Sequence, residues 1–146
     1  MADKIHMSWN QYIIAVHKIA YYFKDERFDA IVGLTRGGLV PGVCLSHQLD
    51  TPMFAFDPHS LRPDGGERSS IGLPISSVVS RRLLIVDDIA DTGVTFTKCS
   101  IFFKERGFRI QTAAVYSNKE VTKFDPTFFV HDNEKQWVVF PYEEIV

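Results

Sequence analysis

Apolar residues recur along this chain in two rhythms, and the changes between them mark its elements. From Ser8 to Phe23, Trp9, Tyr12, Ile13, Val16, Ile19, Ala20 and Phe23 fall at helical spacing, with Ser8 placed as an N-cap. His17 lies near that apolar face and reads as a packed or partly exposed histidine. Ala30 to Leu34 is a short apolar strand; Pro41 then suits the first turn of a helix running to about Leu49. Thr51 to Phe56 reads as a second strand. Leu83 to Val86 is an unbroken apolar run, the mark of a buried parallel strand. A helix from about Thr92 to Arg106 follows, with Phe96, Cys99, Phe102 and Phe103 on its core face and Gly107 as its C-cap. Arg109 to Tyr116 and Thr127 to Val130 complete the strands. Strands alternating with helices predict an α/β fold with a central, mostly parallel sheet of about five strands flanked by helices. The aromatic tail from Trp137 onward reads as a closing edge strand.

One stretch breaks both rhythms. Residues 57–77, DPHSLRPDGGERSSIGLPISS, hold three Gly, three Pro and five Ser. A loop this long inside a single domain is functional or disordered.

Composition changes this picture little but removes several alternatives. The 146 residues fit one domain, spanning 1–146, and are 45% apolar and 23% charged, as in ordinary globular proteins. A net charge of −2 gives no basic bias towards nucleic acid. Cys44 and Cys99 both sit in apolar helical patterns and read as buried, reduced thiols. No apolar run reaches membrane-spanning length, and the polar start MADKIHMSW lacks a signal-peptide core, so a cytoplasmic protein without a membrane partner is expected.

The candidate chemistry gathers at strand ends. Leu83 to Val86 runs straight into Asp87 and Asp88; Asp91, Thr92, Gly93, Val94 and Thr95 follow. A tight Thr/Gly turn opening a helix points backbone N–H groups at an anion, and the helix dipole favours negative charge there. Paired acids beside such a cradle suit a ligand that carries hydroxyls or a cation as well as phosphate. Earlier, the first strand ends in Thr35-Arg36-Gly37-Gly38, where two glycines allow close backbone approach and one guanidinium can face phosphate.

With these residues in view, LLIVDDIADTGVT resembles the phosphoribosyl-diphosphate (PRPP) motif of type I phosphoribosyltransferases, with Ala90 smaller than the usual aliphatic residue. TRGGLVPG is similar to the SRGGLVPG of bacterial xanthine–guanine (6-oxopurine) members. The MSWNQY start and the WVVFPYE tail are similar to theirs too, so the resemblance covers nearly the whole chain. It implies the type I fold with a mobile loop at about 57–77 and a small C-terminal hood from about 119–146. It implies transfer of 5-phosphoribosyl from PRPP to guanine, xanthine or hypoxanthine, giving the nucleoside 5′-monophosphate and diphosphate, with Mg²⁺ as cofactor. By the same resemblance Arg36, Gly37 and Gly38 contact the diphosphate, through a peptide that can be non-proline cis. Asp87 and Asp88 serve ribose and metal, Ala90 to Thr95 bind PRPP, and within that turn the N–H groups and hydroxyls of Thr92 to Thr95 hold the 5′-phosphate. Asp91 is the catalytic base towards the purine, and Glu143 approaches the metal. Lys119 would donate to the purine 6-oxo oxygen, Trp137 stack on the base and Val138 read its edge through the main chain. Lys119 sits one residue late against the bacterial pattern, with Lys123 as substitute. The loop's usual Ser-Tyr pair is replaced by Ser69-Ser70-Ile71, and Arg62 or Arg68 could reach the diphosphate or be solvated. Family members are homodimers or homotetramers.

Two other classes share parts of this pattern. A phosphoacceptor receiver domain also has paired acids, but after its first strand rather than the third, and has no place for the RGG loop or the tail. A regulatory PRPP- or nucleotide-binding module of the same fold, or a transferase with another acceptor base, remains the alternative; Asp91 and the hood aromatic favour catalysis on a purine.

Overall fold

In a computed structural model describing residues 3–61 and 81–144, the strands are β1 (Lys4–His6), β2 (Ala30–Leu34), β3 (Met53–Phe56), β4 (Arg82–Ala90), β5 (Arg109–Ser117), β6 (Phe128–Asp132) and β7 (Trp137–Val139). The helices are α1 (Trp9–Tyr22), α2 (Leu39–Leu49) and α3 (Val94–Glu105), with 3-10 turns at Pro58–Ser60 and Pro141–Glu143. Five strands form one parallel sheet in the order β3-β2-β4-β5-β6, as the alternation of elements predicts.

Period-two alternation divides the core into two layers. Leu84 and Val86 of β4, Ile31 of β2 and Ala113 and Val115 of β5 pack with α1 and α2 on one face. Leu83 and Ile85, with Val32 and Leu34, pack on the other face against Phe96, Cys99, Phe102 and Phe103 of α3. α1 begins with a full capping box: the Gln11 N–H donates to Ser8 Oγ, and the Ser8 N–H donates to Gln11 Oε1. Cys99 is buried and its thiol is pushed up to about 12, by burial first and then by Asp87, so it stays protonated and unreactive.

The order of crossovers decides where a ligand can sit. From β2 the chain moves outward through α2 to β3; from β4 it moves the other way through α3 to β5. The reversal lies between β2 and β4, and the carboxyl ends there open a crevice.

Three features differ from the expected elements. β4 continues through both acids to Ala90 instead of ending at Val86, because pairing with β5 holds it to the Ala90–Ser117 register. α3 begins at Val94, since Gly93 has φ +88 and cannot be helical. The tail strand β7 does not close the sheet. It pairs in parallel with the short β1, Ile5 opposite Val138, as a separate two-stranded cap. Most of the expected mobile loop, including Arg62, Arg68 and Ser69 to Ile71, lies outside the described residues. Among the described residues no helix is long and apolar enough to cross a membrane.

Candidate active site

Three strand ends meet at the crevice. The β2 end carries Thr35 to Gly38, with a cis peptide between Thr35 and Arg36. Gly38 packs against β4 and β2: a Cβ there would strike Val86 O and lie 2.6 Å from Leu34 N. A Cβ on Gly37 would fall on the Asp88 carboxylate. The RGG loop is thus pressed onto the end of β4: only glycine fits against the backbone at Gly38, and a side chain at Gly37 would displace the Asp88 carboxylate.

Because β4 is still a strand at Asp87 and Asp88, the two adjacent acids turn to opposite faces of the sheet. Asp88 faces the α1 and tail side. Its Oδ2 accepts from the Tyr142 hydroxyl at 2.9 Å, and Arg36, Gly37, Asp88, Tyr142 and Glu143 line a cavity of about 700 Å³. Burial and the neighbouring Asp88 push the Tyr142 hydroxyl well up, so it remains a donor. Asp87 faces the α3 side, and its Oδ1 accepts from the Asp88 N–H at 2.8 Å. Burial, then the Asp88 charge, raises the Asp87 carboxyl well above its ordinary value of 3.8. The folded chain therefore holds a proton that the unfolded chain releases above that value. Stability is fully present below pH 3.8 and falls as pH rises through the window up to the lifted pKa. Asp87→Asn carries no charge to bury. Its Tm should exceed the wild type's by ~2–4 °C at pH 8, the effect of about 1 kcal/mol in a domain of this size, with the difference closing near pH 4. Calorimetry of the free protein at both pH values checks this.

The β4–β5 pairing builds the third corner. Ala90 lies opposite Ser117, and the Asn118 N–H donates to Ala90 O at 2.9 Å, so Asp91 and Asn118 leave the sheet side by side. Asn118 Nδ2 donates to Asp91 Oδ1 at 3.0 Å. In the turn that follows, Ala90 is buried while Asp91, Thr92, Val94 and Thr95 are exposed. Gly93 is required twice over, by its positive φ and by Thr122 Oγ1 and Phe124 Cβ, each 2.7 Å from where a Cβ would stand. The first N–H groups of α3 have no partner within the helix, as an anion cradle needs, and the Val94 N–H meets Thr92 Oγ1 at 3.4 Å.

The expected base-binding residues are less closely assembled. Trp137 is 64% exposed on the cap. Val138 buries its side chain in the α1/α2 core, which turns its contribution over to the backbone. The Lys119 ammonium lies 5.2 Å above the Phe129 ring and outside the cavity lining, and the Lys123 N–H donates to Thr92 O. Asn118 and Tyr142 are the contributors that sequence reasoning passed over. An asparagine after a strand reads as turn chemistry, and an aromatic in a tail reads as packing.

The residues present fit a magnesium ion. Such an ion takes one or two carboxylates and completes its shell with substrate oxygens and water. Asp88 and Glu143 share the cavity wall, and no group of three acids, cysteines or histidines is assembled among the described residues.

The phosphoribosyl transferase domain family matches residues 2–144. A xanthine-guanine phosphoribosyltransferase of Cereibacter sphaeroides is 27% identical over 94% of this chain and 86% of its own. Among solved structures, a purine phosphoribosyltransferase of Pyrococcus horikoshii superposes with a TM-score of 0.79 at 34% identity, covering 99% of this chain and 96% of that one. A xanthine-guanine-hypoxanthine phosphoribosyltransferase of Helicobacter pylori shares the fold with a TM-score of 0.77 at 16% identity, over 96% and 93% of the two chains. The chain belongs to the phosphoribosyltransferase family, and within it to the purine phosphoribosyltransferases.

Proposed function

We propose that the protein transfers the 5-phosphoribosyl group of PRPP to a 6-oxopurine, releasing diphosphate and the purine nucleoside 5′-monophosphate. The observation that carries this reading is the meeting of the RGG loop, Asp88 and Glu143 on one cavity at the strand-order reversal, with the Asp91–Thr95 turn beside it. A donor with a phosphate at one end and a diphosphate at the other needs two anion sites flanking its ribose, and this crevice offers them.

In this reading the Thr92–Thr95 turn holds the 5′-phosphate, while Arg36 and the Gly37 and Gly38 backbone hold the diphosphate. The leaving charge is stabilised by donors fixed in advance. Asp88 and Glu143 would hold Mg²⁺, which would neutralise charge on the diphosphate, whereas Asp87, on the α3 face, stands outside that lining. Asp91 takes the proton that the purine loses as its ring nitrogen attacks C1 of the ribose. Trp137 stacks on the base, the Val138 backbone reads its edge, and Lys119 reaches the 6-oxo oxygen by swinging off Phe129.

The test is a panel of guanine, xanthine, hypoxanthine, adenine, orotate and uracil with PRPP and Mg²⁺. The expected result is kcat/KM for at least one 6-oxopurine about 100-fold or more above the other bases, since a site built to hydrogen-bond an exocyclic group rejects analogues lacking it. Preference for adenine or a pyrimidine would replace the acceptor, and no nucleotide from any base would leave only a binding module.

A further inference from the structure

We infer that Asn118 is a positioning residue that ties the proposed base, Asp91, to the hood that presents Trp137. The inference rests on the function proposed above. Asn118 is 4% exposed, yet it sits at the open end of the sheet between two exposed segments. Both ends of its side-chain amide are engaged. Nδ2 donates to Asp91 Oδ1 at 3.0 Å, and Oδ1 accepts from the Lys135 N–H at 3.2 Å. Its backbone is held as well: the N–H donates to Ala90 O, and the carbonyl accepts from the Val121 and Thr122 N–H groups.

Each bond constrains something the reaction needs. Donation to Asp91 Oδ1 holds the carboxylate in one rotamer and leaves its other oxygen to accept a proton. Acceptance from the Lys135 N–H ties the end of β5 to a turn that also holds itself, through the Gln136 N–H on Asn133 O and the Glu134 N–H on Asp132 Oδ1. Glu134 and Lys135 both have positive φ, and the turn is closed by Asn133 Nδ2 donating to Gln136 O just before Trp137. One buried amide therefore sets the distance between the base and the stacking surface, and a displacement of about 1 Å between reacting groups costs on the order of 100-fold in rate. The residue next to it does not share this task, because the Lys119 ammonium is turned to Phe129.

Asn118→Asp separates the two arms. It keeps the shape and the acceptor for Lys135 but replaces the donor facing Asp91 by an oxygen. Asn118→Ala removes both. Steady-state kinetics with PRPP, Mg²⁺ and the preferred purine should show kcat of Asn118→Asp down about 10–100-fold, with KM for PRPP within about threefold of wild type, and Tm at pH 8 lower by ~2–4 °C because the new carboxylate is buried beside Asp91. Asn118→Ala should in addition raise KM for the purine, since the hood turn is released. In an Asp91→Asn background, Asn118→Asp should cost less than about twofold, because its effect runs through Asp91. Wild-type kcat in Asn118→Asp, or a full further loss in the Asp91→Asn background, would overturn the positioning role while leaving the function intact. Wild-type protein that forms no nucleotide would overturn the function and the positioning role together.

Discussion

Replacing Gly38 by alanine is expected to destabilise the protein by about 3 kcal/mol, whereas alanine at Gly37 should spare the fold and disable the site. The two glycines are adjacent but meet different obstacles. Around Gly38 the added methyl meets backbone: Val86 O, and Leu34 N and O at 2.6 and 2.7 Å. Its φ of −79 and ψ of −7 suit any residue, so the cost is one of space alone. β2 and β4 cannot separate without breaking their ladder, which pairs Gly33 with Val86. Around Gly37 the obstacle is the Asp88 side chain, which can rotate away and give up its bond to Tyr142. The expected outcome is a Tm close to wild type and a kcat/KM for PRPP lower by about 100-fold, because a displaced carboxylate no longer meets the donor. Urea unfolding separates the pair, as only Gly38→Ala should lower the midpoint substantially.

Asp91→Asn is the second large effect. kcat should fall by about 10²–10⁴-fold, the contribution of a positioned general base, with KM for PRPP little changed. Asp91 leaves β4 one residue beyond its last ladder pair and is exposed, so the substitution has little packing to disturb. One carboxylate oxygen is taken by Asn118, and the other has no hydrogen-bond partner among the described residues. An asparagine keeps the size but cannot accept the purine proton. Equal kcat in the variant would remove Asp91 from that role and shift attention to the base's own ionisation.

Much of the architecture is legible in the sequence because its elements keep clear periods. The Leu83–Val86 run announces a buried strand, and the spacing of Phe96, Cys99 and Phe103 announces the helix that covers it. The RGG loop and the D-T-G-V-T turn are legible as glycine-bearing turns that lead from a buried strand into a helix. What escapes is what depends on long-range pairing. β1 is three residues, KIH, with no period to read, and it forms only because β7 comes back from 133 residues away to pair with it: Lys4 lies opposite Trp137. The bond of Tyr142 to Asp88 likewise joins positions 54 apart. The split of Asp87 and Asp88 to opposite faces was within reach. It follows from alternation once the strand is carried past Val86, but two acids at the end of an apolar run look like the start of a loop.

The central claim is that this crevice joins the phosphoribosyl group of PRPP to a purine. Phosphorus NMR of purified protein with PRPP, Mg²⁺ and guanine, xanthine or hypoxanthine follows every phosphate in one sample. PRPP should be consumed only when the base is present, with diphosphate and a nucleoside monophosphate appearing in equal amounts. PRPP left intact with every base, or broken down at the same rate whether or not a base is added, would contradict it.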